Sequence, residues 1–297
     1  MSPADEPFGL INLNKPAGWS SRKAVDHVKR LVKPAKIGHA GTLDPLATGV
    51  LILTIGKATR LTPFLHDLTK SYRAEFLLGH ESETDDTEGD VQPCEHARPL
   101  TRGDIERVLP RFVGRIEQTP PIYSAVKIKG RRAYELARKG KTPDIKPRMV
   151  DIHRLEIVEF SPEKLVLEMD CGTGTYVRSV GRDLARAAGS CAVMTSLIRT
   201  RIGGHLIEDA KSPEEITRES LAKVMLPASE GVGPMRKITC ESSALQMIQH
   251  GRSVPFRESS APDDHEPCAL LDPDGGLMAI AEYRETDRHF APRHVFV

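Results

Sequence analysis

A mixed α/β fold with flanking helices, followed by a small and mostly β C-terminal unit, is the architecture this chain predicts. Three observations carry it. Strand-like and helix-like segments alternate irregularly, without the strand–helix–strand repeat of a parallel sheet. Hydrophobic residues make up 39% and charged residues 28% of the 297, enough apolar material for a packed core. After Pro227 the segments become short. A typical domain of ~150 residues agrees with two units, placed at 1–227 and 228–297, the second small enough to lean on the first.

The elements follow in order. Gly9 to Asn14 reads as a short strand. Pro16 and Gly18 then turn the chain into a helix capped by Ser20 or Ser21, with Ala24, Val25, Val28, Leu31 and Val32 on one face and Pro34 as its stop. Gly38 to Gly49 holds three glycines and an Asp44-Pro45 step, which keeps the Asp out of the helical region, so it is a shaped loop. Val50 to Ile55 is a buried strand, and Tyr72, Ala74, Phe76 and Leu78 alternate as a half-buried one. Thr101 with Asp104 opens a helix whose inward residues are Ile105, Val108, Leu109 and Phe112. Leu165 to Cys171 is another alternating strand, leading through Gly172 and Gly174 into a helix with Val177, Val180 and Leu184 that Gly189 ends. In the C-terminal unit a helix carrying Leu245 and Ile248 ends at Gly251. Strands follow at Cys268 to Leu271 and Leu277 to Tyr283, with Arg257 to Pro267 a polar loop.

Several classes are excluded. The apolar run Val50 to Ile55 falls far below the ~18 residues of a spanning helix, and the N-terminus lacks the layout of a secretory signal. Neither membrane attachment nor export is expected. Five scattered cysteines with no C-x-x-C pair argue against a zinc ribbon or a disulfide framework and fit a reducing cytoplasm.

The net charge of +1 conceals strong segregation. Val126 to Arg148 holds nine basic residues against two acids, a local charge of +7, and Arg22 to Lys36 six against one, a charge of +5. Glu81 to Glu95 holds seven acids and no Lys or Arg. Such a pattern is expected where one face meets phosphates and another faces solvent, and the interleaved Tyr123 and Tyr134 point to nucleic acid.

Familiar signatures fail on inspection. Gly56-Lys57 lacks the earlier glycine and the following hydroxyl of a phosphate loop, since Leu51 stands at the glycine position. Gly172 and Gly174 lack the third glycine of a dinucleotide fingerprint, that place being Val177. Pro93-Cys94 lacks the second cysteine of a nucleobase deaminase, which is Ala97. No H-E-x-x-H pattern is present, so no catalytic metal is expected.

What remains is the loop Gly38-His39-Ala40-Gly41-Thr42-Leu43-Asp44-Pro45-Leu46-Ala47-Thr48-Gly49. A lone Asp in such a loop is more often a turn or cap residue than a catalyst. Yet with Val50-Leu51 the loop resembles the catalytic signature of the TruB family of pseudouridine synthases, which modify uridine 55 in the T-arm of tRNA. Further motifs in order and spacing resemble the same family. They are Lys15-Pro16-x-Gly18, Lys70-Ser71-Tyr72, the insertion from Pro120-Pro121 through Ser124-Ala125 to about residue 148, Gly174-Thr175-Tyr176-Val177-Arg178 and Leu197-x-Arg199-Thr200. Ser20 stands where the family usually has Thr, and Ile198 replaces a frequently basic residue. The pattern around Gly251-Arg252-x-Val254 is similar to the family's small PUA-like RNA-binding domain.

The resemblance implies the pseudouridine synthase fold and an isomerisation in which the N1–C1′ bond of uridine breaks, the base turns and C5 takes its place on the sugar. Neither a redox cofactor nor a nucleotide triphosphate is needed. It implies Asp44 as the catalytic carboxylate, either a nucleophile toward the ribose or the base that removes a ribose proton. Arg178 would pair with and orient it. The target base must be flipped out of its stack. His39 would fill the space it leaves, Tyr72 pack on the base, Leu197 line the pocket and Tyr176 shape it. Lys127, Lys129, Arg131 and Arg132 in the insertion at 120–148 would grip RNA. The expected partner is the T-arm of tRNA, with no obligate protein partner and a cytoplasmic location. The rival readings are a tRNA chaperone of the same fold, a guide-RNA-dependent synthase, and a glycosidase that releases the base.

Overall fold

Burial of every residue from Gly49 to Ile55 makes that strand the natural middle of a sheet. The computed structural model describes residues 7–124, 126–128, 130–137, 140, 144–256 and 260–297, with only the backbone at Lys127, Arg132 and Tyr134. The chain begins with β1 (Gly9–Lys15), α1 (Ser21–Val32), β2 (Ile37–His39), β3 (Thr48–Ile55), α2 (Thr62–Asp67) and β4 (Lys70–Leu78). The short β5 (His80–Glu81) and β6 (Gln92–Pro93), α3 (Arg102–Val108) and β7 (Gly114–Gln118) follow. Next are β8 (Lys127–Ile128), β9 (Arg131–Arg132), α4 (Ala133–Ala137), β10 (Arg148–Phe160), β11 (Lys164–Cys171) and α5 (Val177–Ala187). Then come β12 (Ala192–Ile202), β13 (His205–Leu206) and α6 (Leu221–Val224). The last stretch holds β14 (Arg236–Thr239), α7 (Ala244–Gln249), β15 (Val254–Pro255), β16 (Pro267–Leu271), β17 (Leu277–Arg284) and β18 (His289–Val295).

The larger sheet runs β1-β3-β12-β4-β11-β10-β7, with β2 on β3 and β13 on β12. Its strands pair antiparallel except for a parallel contact of β12 with β3 at Ile198–Thr48 and Arg199–Gly49. Alternation along β3 feeds two cores. Val50 and Ile52 pack with Leu10, Leu61 and Leu65, whereas Leu51, Leu53 and Ile55 pack with Ala24 and Val28 of α1. On β4 and β11, Phe76, Leu78, Leu165 and Leu167 lie against Ile105 of α3 and Val180 and Leu184 of α5.

Helix ends follow their local chemistry. Ser20 caps α1, its hydroxyl accepting the Lys23 N–H, and Thr101 with Asp104 forms a reciprocal capping box at α3. A glycine inside α5 is explained by packing. A Cβ at Gly181 would stand 2.0 Å from the Phe76 ring, so the helix accepts a poor helix former in order to lie on the sheet. Gly181→Ala should destabilise the fold by about 1–3 kcal/mol despite the better helix propensity, readable as a lowered melting temperature. Unchanged stability would mean that the ring has room to move.

Two expectations are corrected. β12, read from the sequence only as a pocket motif, is a central strand flanked by β3 and β4. Its polar residues hide the strand pattern, and the buried Arg199 among them is satisfied by backbone carbonyls. Cys94 and Cys191, expected to be free thiols, are joined as a disulfide across 97 positions. The backbone of Gly79 brings them together, since its N–H donates to the Cys191 carbonyl and its carbonyl accepts the Cys94 N–H.

The C-terminal sheet has the order β14-β16-β17-β18-β15. One side packs on α7 through Ile248, Leu270, Tyr283 and Phe290. The other continues into the first core, where Ala269, Leu277, Ile280 and Phe296 join Leu10, Ala58, Leu61 and Leu65. Lys57 and Arg60 donate to the carbonyls of Phe296 and Val295, and the Phe296 ring stacks on Phe8 at 5.9 Å. Among the described residues no helix is long and apolar enough to cross a membrane.

Candidate active site

Asp44 lies in the loop between β2 and β3, and three side chains build that loop. The buried Ser21 hydroxyl, on the first turn of α1, accepts the Leu43 N–H at 2.8 Å and donates to the Leu43 carbonyl at 3.0 Å. The fully buried Lys15 ammonium donates to the carbonyls of Trp19 at 2.6 Å, Pro16 at 3.0 Å and Pro45 at 3.4 Å. Burial pushes the Lys15 pKa down to about 8, with the nearby Asp44 charge resisting the fall. Arg199 donates through Nε to the Val50 carbonyl at 2.7 Å and through Nη2 to that of Gly41 at 3.1 Å. The exit from the loop needs glycine. Gly49 has φ +96°, and a Cβ there would lie 2.3 Å from the Arg199 carbonyl oxygen.

Arg178, on the first turn of α5, places Nη2 at 2.8 Å from Asp44 Oδ2. Its side chain is 4% exposed against 37% for Asp44, so the arginine is the fixed wall and the carboxylate faces the opening. A second carboxylate shares the guanidinium, with Asp86 Oδ2 at 3.2 Å from Nη1. The carbonyls of Thr84 and Tyr123 accept from Nη1 and Nη2 at 2.6 and 3.2 Å. The Thr84 hydroxyl at 2.6 Å and the Glu88 N–H at 3.1 Å hold Asp86 Oδ1. Both terminal nitrogens of the fork are therefore occupied, which fixes the guanidinium plane that meets Asp44.

His39, Asp44, Tyr72, Tyr176, Arg178 and Leu197 line one open cleft. Burial pushes the Tyr72 hydroxyl up and the His39 ring down, so at neutral pH the phenol keeps its proton and the imidazole is uncharged. The buried Gln118 holds Tyr176 by its backbone, accepting its N–H at 2.8 Å and donating to its carbonyl at 3.1 Å. The guanidinium of Arg148 covers the Tyr176 ring at 5.0 Å and donates to the Gly174 carbonyl. Sequence reasoning offered Ser21 only as a candidate helix cap, a place Ser20 takes, and assigned no role to Asp86 or Gln118.

The acidic run is also corrected. Glu81, Glu83, Asp85, Asp86, Glu88 and Asp90 line the cleft itself instead of facing bulk solvent on a separate side. The reason is pairing, since Asp86 holds Arg178 and Asp85 meets Arg182 at 2.6 Å. Of the four basic residues singled out in the insertion, Arg131 is exposed on the β8–β9 pair. Lys129 lies outside the described residues, as do the side chains of Lys127 and Arg132. Tyr123, Ser124 and Val126 line the cleft, so the base of the insertion adjoins it. Among the described residues one group, Glu81 with Cys94 and Cys191, has metal-ligand character, and both of its sulfurs are engaged in the disulfide.

The same architecture occurs in known proteins. A structure described as a Cbf5–Nop10–Gar1 complex superposes with a TM-score of 0.74 over 98% of this chain and 85% of that one, at 26% identity. An archaeal box H/ACA Nop10–Cbf5 complex shares the fold, also with a TM-score of 0.74, at 23% identity over 99% and 88% of the two chains. The fold is that of a pseudouridine synthase. Residues 29–177 match the model of the TruB family pseudouridylate synthase N-terminal domain. A tRNA pseudouridine synthase B of Arthrobacter sp. (strain FB24) is 37% identical over 92% of both chains. One of Caulobacter sp. (strain K31) is 41% identical over 84% of this chain and 82% of its own. The chain belongs to the TruB family of pseudouridylate synthases.

Proposed function

We propose that the protein converts uridine 55 in the T-arm of tRNA to pseudouridine, with Asp44 as the catalytic carboxylate. The observation that carries this reading is the Asp44 carboxylate at the mouth of the cleft with Oδ2 on a buried guanidinium at 2.8 Å. In the reaction N1–C1′ breaks, C5–C1′ forms and the C5 proton moves to solvent while N1 gains one, so the RNA keeps its mass. Arg178 orients the carboxylate through the contact of its Nη2 with Oδ2. Tyr72 packs on the flipped base, the uncharged His39 occupies its former place, Leu197 lines the pocket and Tyr176 shapes it. Arg131, with Lys127, Lys129 and Arg132, grips the RNA from the insertion. Residues 1–227 form the catalytic unit in this reading and 228–297 a PUA-like RNA-binding unit. The enzyme works on tRNA in the cytoplasm without an obligate protein partner.

The test is incubation of purified protein with an unmodified tRNA transcript, followed by chemical labelling of pseudouridine. One modification at position 55, with RNA mass unchanged, is expected. A loss of mass would instead identify a glycosidase. Adding a chelator should leave the yield unchanged, because among the described residues the one group of metal-ligand character, Glu81 with Cys94 and Cys191, has both of its sulfurs in the disulfide. A loss of activity that only zinc restores would overturn that expectation.

A further inference from the structure

The catalytic cleft does not end at the Asp44 loop. Arg22, Val25, Ile37 and Gly38 line both the cleft and a shallow hollow between α1 and the turn at Thr59–Thr62. The hollow adds Lys29 and Lys36 to the rim. Arg22, Lys29 and Lys36 are exposed, as are Lys33 and Arg30 beside them. The charged neighbours are few. Asp26 meets Arg22 at 2.8 Å, and no ion pair engages Lys29, Lys33 or Lys36 among the described residues. The cleft lining also carries Glu81, Glu83, Glu88 and Asp90. The acids of the lining thus come from the stretch around β5 and β6 and the exposed basic residues of the hollow from α1 and the turn after it.

We propose that this hollow is a phosphate track for the RNA strand that leaves the cleft beside the flipped nucleotide, with Lys29 and Lys36 as its principal contacts. This proposal rests on the reading of the enzyme as one that acts on RNA. A polyanion entering the cleft is repelled by the acids of the lining and drawn to the hollow where unpaired ammonium groups stand. Two features fit a phosphodiester backbone better than a compact anion. The charges are spread along a rim continuous with the catalytic opening, and no buried donor closes around a single point. Base identity is not read there, because lysines on a solvated rim contact phosphate without reporting sequence.

The test compares wild type with Lys29→Ala/Lys36→Ala and the charge-keeping Lys29→Arg/Lys36→Arg. Binding of unmodified tRNA transcript is measured by anisotropy across a salt series, and single-turnover pseudouridine formation at saturating enzyme. The alanine pair should weaken binding about tenfold and reduce the log–log salt slope by roughly 0.7–0.9 for each phosphate that is no longer neutralised. The arginine pair should bind as wild type. The single-turnover rate and the melting temperature should hold for both. Unchanged affinity and slope in the alanine pair would overturn the track, and so would weakened binding with an unchanged slope. Failure of the wider reading looks different, because then wild type itself forms no pseudouridine in tRNA, whatever the lysine variants do to binding.

Discussion

Asp44→Asn should lower the single-turnover rate of pseudouridine formation by about 10⁴-fold or more while tRNA affinity stays within a few-fold of wild type. The substitution keeps the shape, and its amide oxygen can still accept from Arg178 where Oδ2 now does at 2.8 Å. What is lost is the ionised oxygen on which either carboxylate role depends, as nucleophile or as base. The loop should survive, since Ser21 and Lys15 hold the backbone of Leu43 and Pro45 and not the Asp44 side chain. A preparation free of wild-type enzyme that retained more than a few per cent of the rate would remove Asp44 from the chemistry.

Arg178→Lys should also be damaging, though less so, and although it preserves the charge. The guanidinium serves Asp44, Asp86 and the carbonyls of Thr84 and Tyr123 at once, and an ammonium cannot span four acceptors in one plane. We expect a fall of about 100-fold in the single-turnover rate from misplacement of the carboxylate. Uncoupling the 2%-exposed side chain of Asp86 should in addition cost about 3–5 kcal/mol of stability, the range for breaking a buried pair. Asp86→Asn separates these effects. It leaves Arg178 in place with its bond to Asp44, so activity should fall less than in Arg178→Lys. If Arg178→Lys reacts at the wild-type rate, the shared guanidinium is scaffolding alone.

How far the sequence discloses this arrangement depends on how local each residue's task is. The Asp44 loop is legible because its requirements are written within a dozen residues: glycines at the turns, Asp before Pro, and an apolar strand directly after. The caps at Ser20 and Thr101 are legible for the same reason. Asp86 is not, because in a run of seven acids nothing local separates the one that is buried from the six that are not. Its partner arrives from a helix far along the chain, as the 94-residue span between Arg178 and Thr84 illustrates. The Cys94–Cys191 link fails in the same way, being made by the Gly79 backbone and not by spacing. β12 escapes notice for another reason. A central strand is expected to be apolar, and this one carries Arg199 through the middle of the sheet because the backbone carbonyls of Gly41 and Val50 accept hydrogen bonds from it.

The boundary at residue 227 follows a change in composition, and the packing does not respect it. Leu10, Leu61 and Leu65 share one apolar cluster with Leu277, Ile280 and Phe296. A chain built this way has no interior surface along which it can part without exposing hydrocarbon to water on both sides. Heat or denaturant should accordingly melt it in one cooperative transition, with calorimetric and van't Hoff enthalpies equal. Cutting away the C-terminal sheet would strip Ala269, Leu271, Leu277, Ile280 and Phe296 from that cluster and bare Leu10, Leu61 and Leu65 to water.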